Sequence, residues 1–395
     1  MLSSYRAVFA LPGARSLALS CGLGWLSFAS YGLAVVLAVE AATGSFAVAG
    51  AAVAAFSAGS ALLAPVRGRL ADRRGPRVLP WFAAGHSAAL ALLVLGCLGS
   101  ASSVLLIAAA GAAGASIPPL IATARAVWPT ITGPELARAG HAVNAALGDA
   151  GQVLGPAMTG AIAVLVSPVA ALAVLGPGVV MGSLLIAAGA PDPSRPLAGR
   201  AGHRVWGVLG ESSGLRAIVL CEVLLGGAFG ALDVAAPVVA AETGAAETAA
   251  LPLAAMAAGS VCMSLWSGTA RLKKPPAWRY AAGCALVALA LLACLAITSL
   301  IALSVVLVGA GLGYGLLNVA VFELLEDVVA PDRAVEAFTW LTTSAGAGLA
   351  AGALVAGQLA ASGPDHTLTS VAIPALLAAA VAIRSRSTIS GTSAA

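Results

Sequence analysis

The residues best placed to do chemistry here are acids set inside long apolar runs. Asp149 stands about ten residues into the run 139–166, and Glu222 and Asp233 share the run 215–241. At a helical rise of about 1.5 Å per residue, Asp149 sits roughly 15 Å deep, near mid-bilayer. An ionised carboxylate there costs roughly 2.5–3.5 kcal/mol on insertion scales. It is therefore expected to face a water-filled cavity, meet a partner or hold a proton. An acid that gains and loses a proton at that depth can couple transport to a proton gradient, or bind substrate; the alternative is a structural, hydrogen-bonded acid. Gln152 and Pro156 share its side of the helix, and Asn144 adds a polar group to the same run.

Glu222 and Asp233 are eleven residues apart, which returns a helix to within about 20° of the same face, some 16 Å along its axis. Gly226, Phe229 and Gly230 fall on that face too. Two acids on one face point to a cavity lining rather than lipid contact, although Glu222 could instead pair with Arg216. Asn318 is a further polar candidate in the run 301–325, whereas Glu323, Glu326 and Asp327 approach its end, where loop cations would meet them. Trp25, Ser27, Ser30 and Tyr31 mark the first run; aromatic rings beside a cavity can stack on flat or cationic ligands, or simply pack. His86, His141, His203 and His366 have no metal-ligand spacing and read as solvated or structural. No phosphate-binding Gly-x-x-x-x-Gly-Lys-Ser/Thr loop appears, and no Ser-His-Asp set, paired acid or metal cluster stands outside the apolar runs. The chain reads as a non-enzyme without metal or cofactor.

These acids need helices to hold them, and the composition supplies little else. Of 395 residues, 60% are hydrophobic and 9% charged, against about 25% charged in soluble domains. The mean hydropathy is +0.99. A soluble protein this apolar could not cover its surface. The net charge of +4 is spread over short loops and makes no basic face for nucleic acid. Cys21, Cys97, Cys221, Cys262, Cys284 and Cys294 all lie in apolar runs and read as small buried hydrophobes. The stretch before Ser16 is too short in apolar residues for a cleaved signal peptide.

Roughly 20 apolar residues span a bilayer. Twelve such spans are expected, at about 17–40, 46–66, 79–99, 102–125, 139–166, 169–190, 215–241, 246–270, 279–298, 301–325, 335–361 and 367–384. The runs are continuous rather than alternating, which favours helices over barrel strands. With the N-terminus inside, all 20 Lys and Arg fall in cytoplasmic segments, the pattern of the positive-inside rule. Proline, glycine and charge in 191–214 mark a linker. The expected organisation is a six-helix bundle over 1–190, a cytoplasmic linker, and a second six-helix bundle over 215–395.

The halves repeat. Gly133-Pro134-Glu135 recurs as Ala330-Pro331-Asp332, and Gly151, Gly155 and Gly160 recur as Gly348, Gly352 and Gly357, all 197 positions on. Asp149 falls on Gly346 in that register, so the duplication gives no reason for an acid there. Internal duplication is a transporter signature, with substrate sites near the midplane between the halves.

Between the second and third spans lies a polar island, Gly68-Arg69-Leu70-Ala71-Asp72-Arg73-Arg74-Gly75-Pro76-Arg77. Gly68 and Gly75 are expected to bracket a tight reversal. The island closely resembles the loop motif of the major facilitator superfamily of secondary transporters, Gly-x-Leu-Ala-Asp-Arg-x-Gly-basic-basic. It matches at Gly68, Leu70, Ala71, Asp72, Arg73, Gly75 and Arg77, and departs at Pro76. The resemblance extends from about residue 15 to 385. It implies an all-α membrane fold of twelve helices in two pseudo-symmetric halves. It also implies gating by Gly68, Asp72, Arg73, Gly75 and Arg77, with Asp72 facing the cytoplasmic start of the eleventh span and Arg125 as a partner. The arginine that the family often carries near the outer start of the fourth span is missing from Ala108–Ser116.

In the fifth span Gly148, Gly151 and Gly155 form one stripe, which lets helix backbones approach closely. With Pro156 and Gly160 it resembles the Gly-x-x-x-Gly-Pro-x-x-Gly-Gly motif of the family's drug–proton antiporters, Thr159 replacing one glycine. Pro156 is expected to kink the helix. Together these features lead to the expectation of a proton-coupled exporter of small amphipathic or drug-like molecules. An importer of a small metabolite uses the same parts, and a non-transporting receptor or assembly partner is the third reading. The expected partners are a small-molecule substrate, protons and the lipid bilayer, with no nucleic acid. The expected state is a monomer in the bacterial cytoplasmic membrane with both termini inside.

Overall fold

A computed structural model of the protein describes residues 2–190, 212–242, 248–269, 274–297, 299–329 and 334–389. Among these, the regular elements are helices: α1 (Leu2–Ala10), α2 (Ala14–Thr43), α3 (Phe46–Arg74), α4 (Leu79–Leu98), α5 (Ser103–Ser116), α6 (Leu120–Leu165), α7 (Pro168–Ala173) and α8 (Leu175–Gly189). After the 191–211 segment come α9 (Ser213–Glu242), α10 (Ala250–Thr269), α11 (Pro276–Ala293), α12 (Leu300–Val328), α13 (Ala334–Leu359), α14 (Pro364–Arg384) and α15 (Arg386–Ile389).

Among the described residues ten stretches are long and apolar enough to cross a membrane, and two shorter apolar helices, Leu154–Leu165 and Ala250–Ser264, fall where the fifth and eighth spans were expected. Large apolar side chains stay exposed along the spans: Leu165 is 82% exposed, Trp81 79% and Val104 78%. In water such a surface would aggregate; in lipid it is the favourable outer face, because every backbone polar group is satisfied inside a helix. The protein is a multi-pass integral membrane protein. Of the cysteines, Cys262 departs from expectation: it is exposed, whereas the other five are buried.

Two compact units form, Met1–Gly44 with Ala58–Ala201, and Ser45–Ser57 with Gly202–Ala395. The first turns of α3 thus belong to the second unit, where a methyl group at Gly50 would collide with the Ala353 carbonyl oxygen and come within 2.9 Å of Gly357 Cα on α13.

In the first unit α2 packs most extensively on α6; in the second the leading pair is α9 with α13. The two pairs are the same joint built twice. On α6, a Cβ at Gly151 would come within 3.0 Å of Leu26 N, and one at Gly155 within 3.1 Å of Leu26 O. On α13, Cβ atoms at Gly348 and Gly352 would collide with the carbonyl oxygens of Val223 and Gly227. Val223 lies 197 positions after Leu26, the register of the glycine repeat itself. Close backbone contact through small residues is what holds helices together where the surroundings are as apolar as the side chains.

Three local features differ from expectation. Gly68 does not open a turn: α3 runs through it to Arg74, and Gly75, with φ 71, makes the reversal alone. A helix tolerates one interior glycine at a cost of about 1 kcal/mol, which packing overrides. The break in α6 falls at Gly133, with φ 62 and ψ −179, and not at Pro156, where the helix continues. Lastly, the fourth span is two helices: α5 stops at Ser116, and α6 begins after Ile117-Pro118-Pro119.

This packing sets opposite expectations for two glycines. Gly68 has nothing within 4 Å of an added Cβ, so Gly68→Ala should hold or raise stability, by up to about 1 kcal/mol. Gly352→Val, which must displace the α9 backbone, should cost about 2 kcal/mol or more. Thermal unfolding of the detergent-purified variants checks both.

Candidate transport site

Within the first unit, the polar and aromatic residues of α2 meet the glycine stripe of α6. Trp25 lies across that stripe: its Cζ2 would be 3.4 Å from a Cβ at Gly148, and its Cβ 2.7 Å from one at Gly151. Its ring stands edge-on to Phe28 with centroids 6.0 Å apart. The indole Nε1 is buried without a hydrogen-bond partner, and so is Oδ1 of Asn144, which is 5% exposed on α6. A donor on α2 and an acceptor on α6 thus remain unpartnered among the described residues. Thr159 is buried with its hydroxyl likewise unpartnered. Gly160 and Pro156 are buried in the same helix.

Tyr31 has another role. It is 2% exposed, and its hydroxyl bonds to Nε2 of His86 on α4, edge-on to the ring with centroids 5.4 Å apart. His86 is wholly buried and also engages the Ala113 carbonyl at 2.8 Å. Of the other histidines, His366 is exposed and bonds the Ser362 carbonyl. The side chains of Asp149, Gln152, Asp72, Arg125 and His141 lie outside the described residues, although their backbones belong to α6 and α3; His203 lies outside altogether. Arg73 and Arg77 are exposed.

In the second unit the α9 face divides. Gly226 and Gly230, about 40° and 80° round from Glu222, are taken up by the α13 backbone at Ala345 and Leu349. Phe229, about 20° to the other side, stands edge-on to Tyr314 of α12, centroids 4.9 Å apart. Glu222 and Asp233 therefore lie on the α9 face between its contacts with α12 and with α13. Both are half-buried, and among the described residues neither forms an ion pair, so Glu222 does not take up Arg216. Tyr280 on α11 stands beside Glu222, wholly buried, its hydroxyl unpartnered. Asn318 is half-buried on α12. Glu323 lies about 180° round α12 from Tyr314, away from this face, and pairs with Arg279 of α11. Glu326 and Asp327 have side chains outside the described residues.

A family model described as Major Facilitator Superfamily matches residues 17–353. The chain belongs to the Major Facilitator Superfamily. Members of this family are transporters rather than enzymes. No curated protein matches the sequence. Among solved structures, the nucleoside transporter NupG superposes with a TM-score of 0.72 at 14% identity, covering 96% of this chain and 99% of its own. A bacterial homologue of the human lysosomal transporter Spinster, inward-facing and occupied, gives 0.69 at 13%, covering 95% of each chain. The human organic anion transporter MFSD10 gives 0.63 at 16%, covering 96% and 99%. These likenesses show the fold, all-helical and membrane-spanning.

Set against that fold, sequence reasoning missed Tyr280 and Tyr314, which flank Glu222 and Phe229. Both are aromatic residues with a polar tip inside apolar spans, and such tips usually find a partner when buried. It also missed how Arg67 is used. Counted with the cytoplasmic cations, Arg67 is 5% exposed and bonds only to backbone carbonyls and Ser60. The Arg279–Glu323 pair yields a direct expectation. The Arg279 side chain is 8% exposed and that of Glu323 46%, so Glu323→Gln leaves a buried guanidinium without its counter-charge. The half-exposed acid limits the loss to on the order of 1 kcal/mol, read as a lower melting temperature at pH 7 that salt does not restore.

Proposed function

We propose that this superfamily member is a secondary active transporter that exports small amphipathic molecules, cationic or neutral, in exchange for protons by alternating access. The observation that carries this is the α9 face of the second unit, where Glu222 and Asp233 have no counter-cation among the described residues and Glu222 stands beside Tyr280 and Tyr314, with Phe229 two turns along the same face. A carboxylate without a partner in apolar surroundings is costly, and it is stabilised by binding either a proton or an organic cation. When one site takes both, binding of one expels the other, which is exchange. Aromatic rings beside the acids supply stacking and cation–π attraction worth about 0.5–2 kcal/mol.

The unpartnered Trp25 and Asn144 offer the first unit's polar contacts to a substrate. Asp149 is assigned the coupling proton: taken up from outside, released inside, and shifting the balance between the two access states. Gln152 on the same helix side and Asn318 in the second unit complete the set. The gating assignment of Gly68, Asp72, Arg73, Gly75, Arg77 and Arg125 follows from the family motif.

Everted membrane vesicles containing the protein provide the test. Lipophilic cations and neutral drugs should trigger proton efflux from the acidified lumen, and Asp149→Asn should abolish the response while leaving protein in the membrane. Full proton-driven transport by Asp149→Asn would refute its coupling role. No response to the whole panel, with metabolite counterflow present, would favour an importer of a narrow-range metabolite.

A further inference from the structure

Backbone hydrogen bonding fails at one place in the fourth span, and side chains replace it. In an unbroken helix the N–H groups of residues 117, 118 and 119 would serve the carbonyls of Ala113, Gly114 and Ala115. Pro118 and Pro119 have no N–H to give, and the Ile117 N–H turns instead to Gly114 O at 3.3 Å. Carbonyls left bare inside an apolar region cost free energy, and none of these is bare. His86 Nδ1 lies 2.8 Å from Ala113 O. Arg67 Nη1 donates to Gly114 O at 2.8 Å, Ala115 O at 3.2 Å and Ile117 O at 2.8 Å. Arg67 Nη2 donates to Ser60 O at 2.6 Å and reaches Ser60 Oγ at 3.5 Å.

The chemistry of each group follows. A carbonyl only accepts, so His86 Nδ1 carries the proton and Nε2 accepts from the Tyr31 hydroxyl. Arg67 forms no ion pair with a carboxylate among the described residues. Its charge is held instead by the carbonyl dipoles at the C-terminal, negative end of α5. Its Nε is buried and unpartnered among the described residues, so the two terminal nitrogens make all of its hydrogen bonds there.

We propose that the break of α5 is a carbonyl-built site for a guanidinium cation, which the protein keeps filled with its own Arg67. Arg67 is thus a positioning residue: it stands in for the two missing proline donors and ties the elbow of the fourth span to α3. The site selects guanidinium because its acceptors, Ser60 on one side and Gly114, Ala115 and Ile117 on the other, are spread as a planar fork requires. A compact, strongly hydrated ammonium cannot span them. His86, fixed by Ala113 and Tyr31, closes the end of the cage.

The full-length protein in detergent allows a direct test through four forms: native, Arg67→Met, the double variant Pro118→Ala/Pro119→Ala, and the triple combination. Arg67→Met should lower the melting temperature by several degrees. In the double-alanine background the backbone itself supplies donors to Gly114 and Ala115, so the same substitution should cost roughly half as much or less. An equal loss in both backgrounds would overturn the proposal. Should Arg67→Met yield no folded protein, Arg67→Gly prepared with millimolar methylguanidinium decides. Recovery of monodisperse protein by methylguanidinium, but not by methylammonium or sodium, supports the site; equal recovery with all three, or with none, overturns it.

Discussion

A bilayer offers no water to a bare backbone group, and this one constraint organises the molecule. It makes the described elements helices, and it explains what happens where a helix stops. At Ile117-Pro118-Pro119 two donors are missing and a third is turned away; Arg67 from α3 serves Gly114 and Ala115, and His86 from α4 serves Ala113. A buried arginine without a carboxylate would be an anomaly in a soluble core; here the carbonyls it satisfies are the counter-charge. The same rule frames the acids of α9. Among the described residues Glu222 and Asp233 have no cation of this kind beside them, which is the ground for reading them as a site for a mobile proton or cation.

Close helix contact is the second consequence. Lipid tails are as apolar as leucine, so association rests on packing rather than on the removal of water. The glycines at 151 and 155 and those at 348 and 352 let α6 approach α2 and α13 approach α9 in one register, 197 positions apart. The duplication is therefore visible as a repeated joint as well as a repeated sequence. Within the first joint, Trp25 occupies the notch that Gly148 and Gly151 leave, which accounts for an aromatic residue and a glycine stripe facing each other.

Much of this was legible in the sequence. The spans follow from hydropathy alone, because apolar length is a strong signal, and the glycine register marks the duplication, although not the helices that those glycines meet. What escaped was set by tertiary contacts. Gly68 looks like a turn residue, yet α3 passes through it, since one glycine costs a helix little. The proline break of the fourth span hides because Ile117, Pro118 and Pro119 are apolar and leave the hydropathy unbroken. Arg67 reads as a loop cation by position, but its long stem carries the guanidinium back to Ser60, seven residues earlier. Tyr31 reads as a cavity aromatic, whereas its hydroxyl is engaged by His86. Of the candidate residues, Glu222, Asp233 and Phe229 were found by helical arithmetic, and that arithmetic also placed Gly226 and Gly230 close enough to be confused with them.

The central functional claim is that the acids of α9 bind organic cations and protons in competition. Binding of tetraphenylphosphonium to the purified protein tests it most directly, measured across pH with Asp233→Asn and Glu222→Gln alongside. The account predicts tighter binding as pH rises through the acids' titration, with one proton released per cation bound and a loss of tenfold or more in at least one variant. Binding that is unaffected by pH and equal in all three proteins would contradict it.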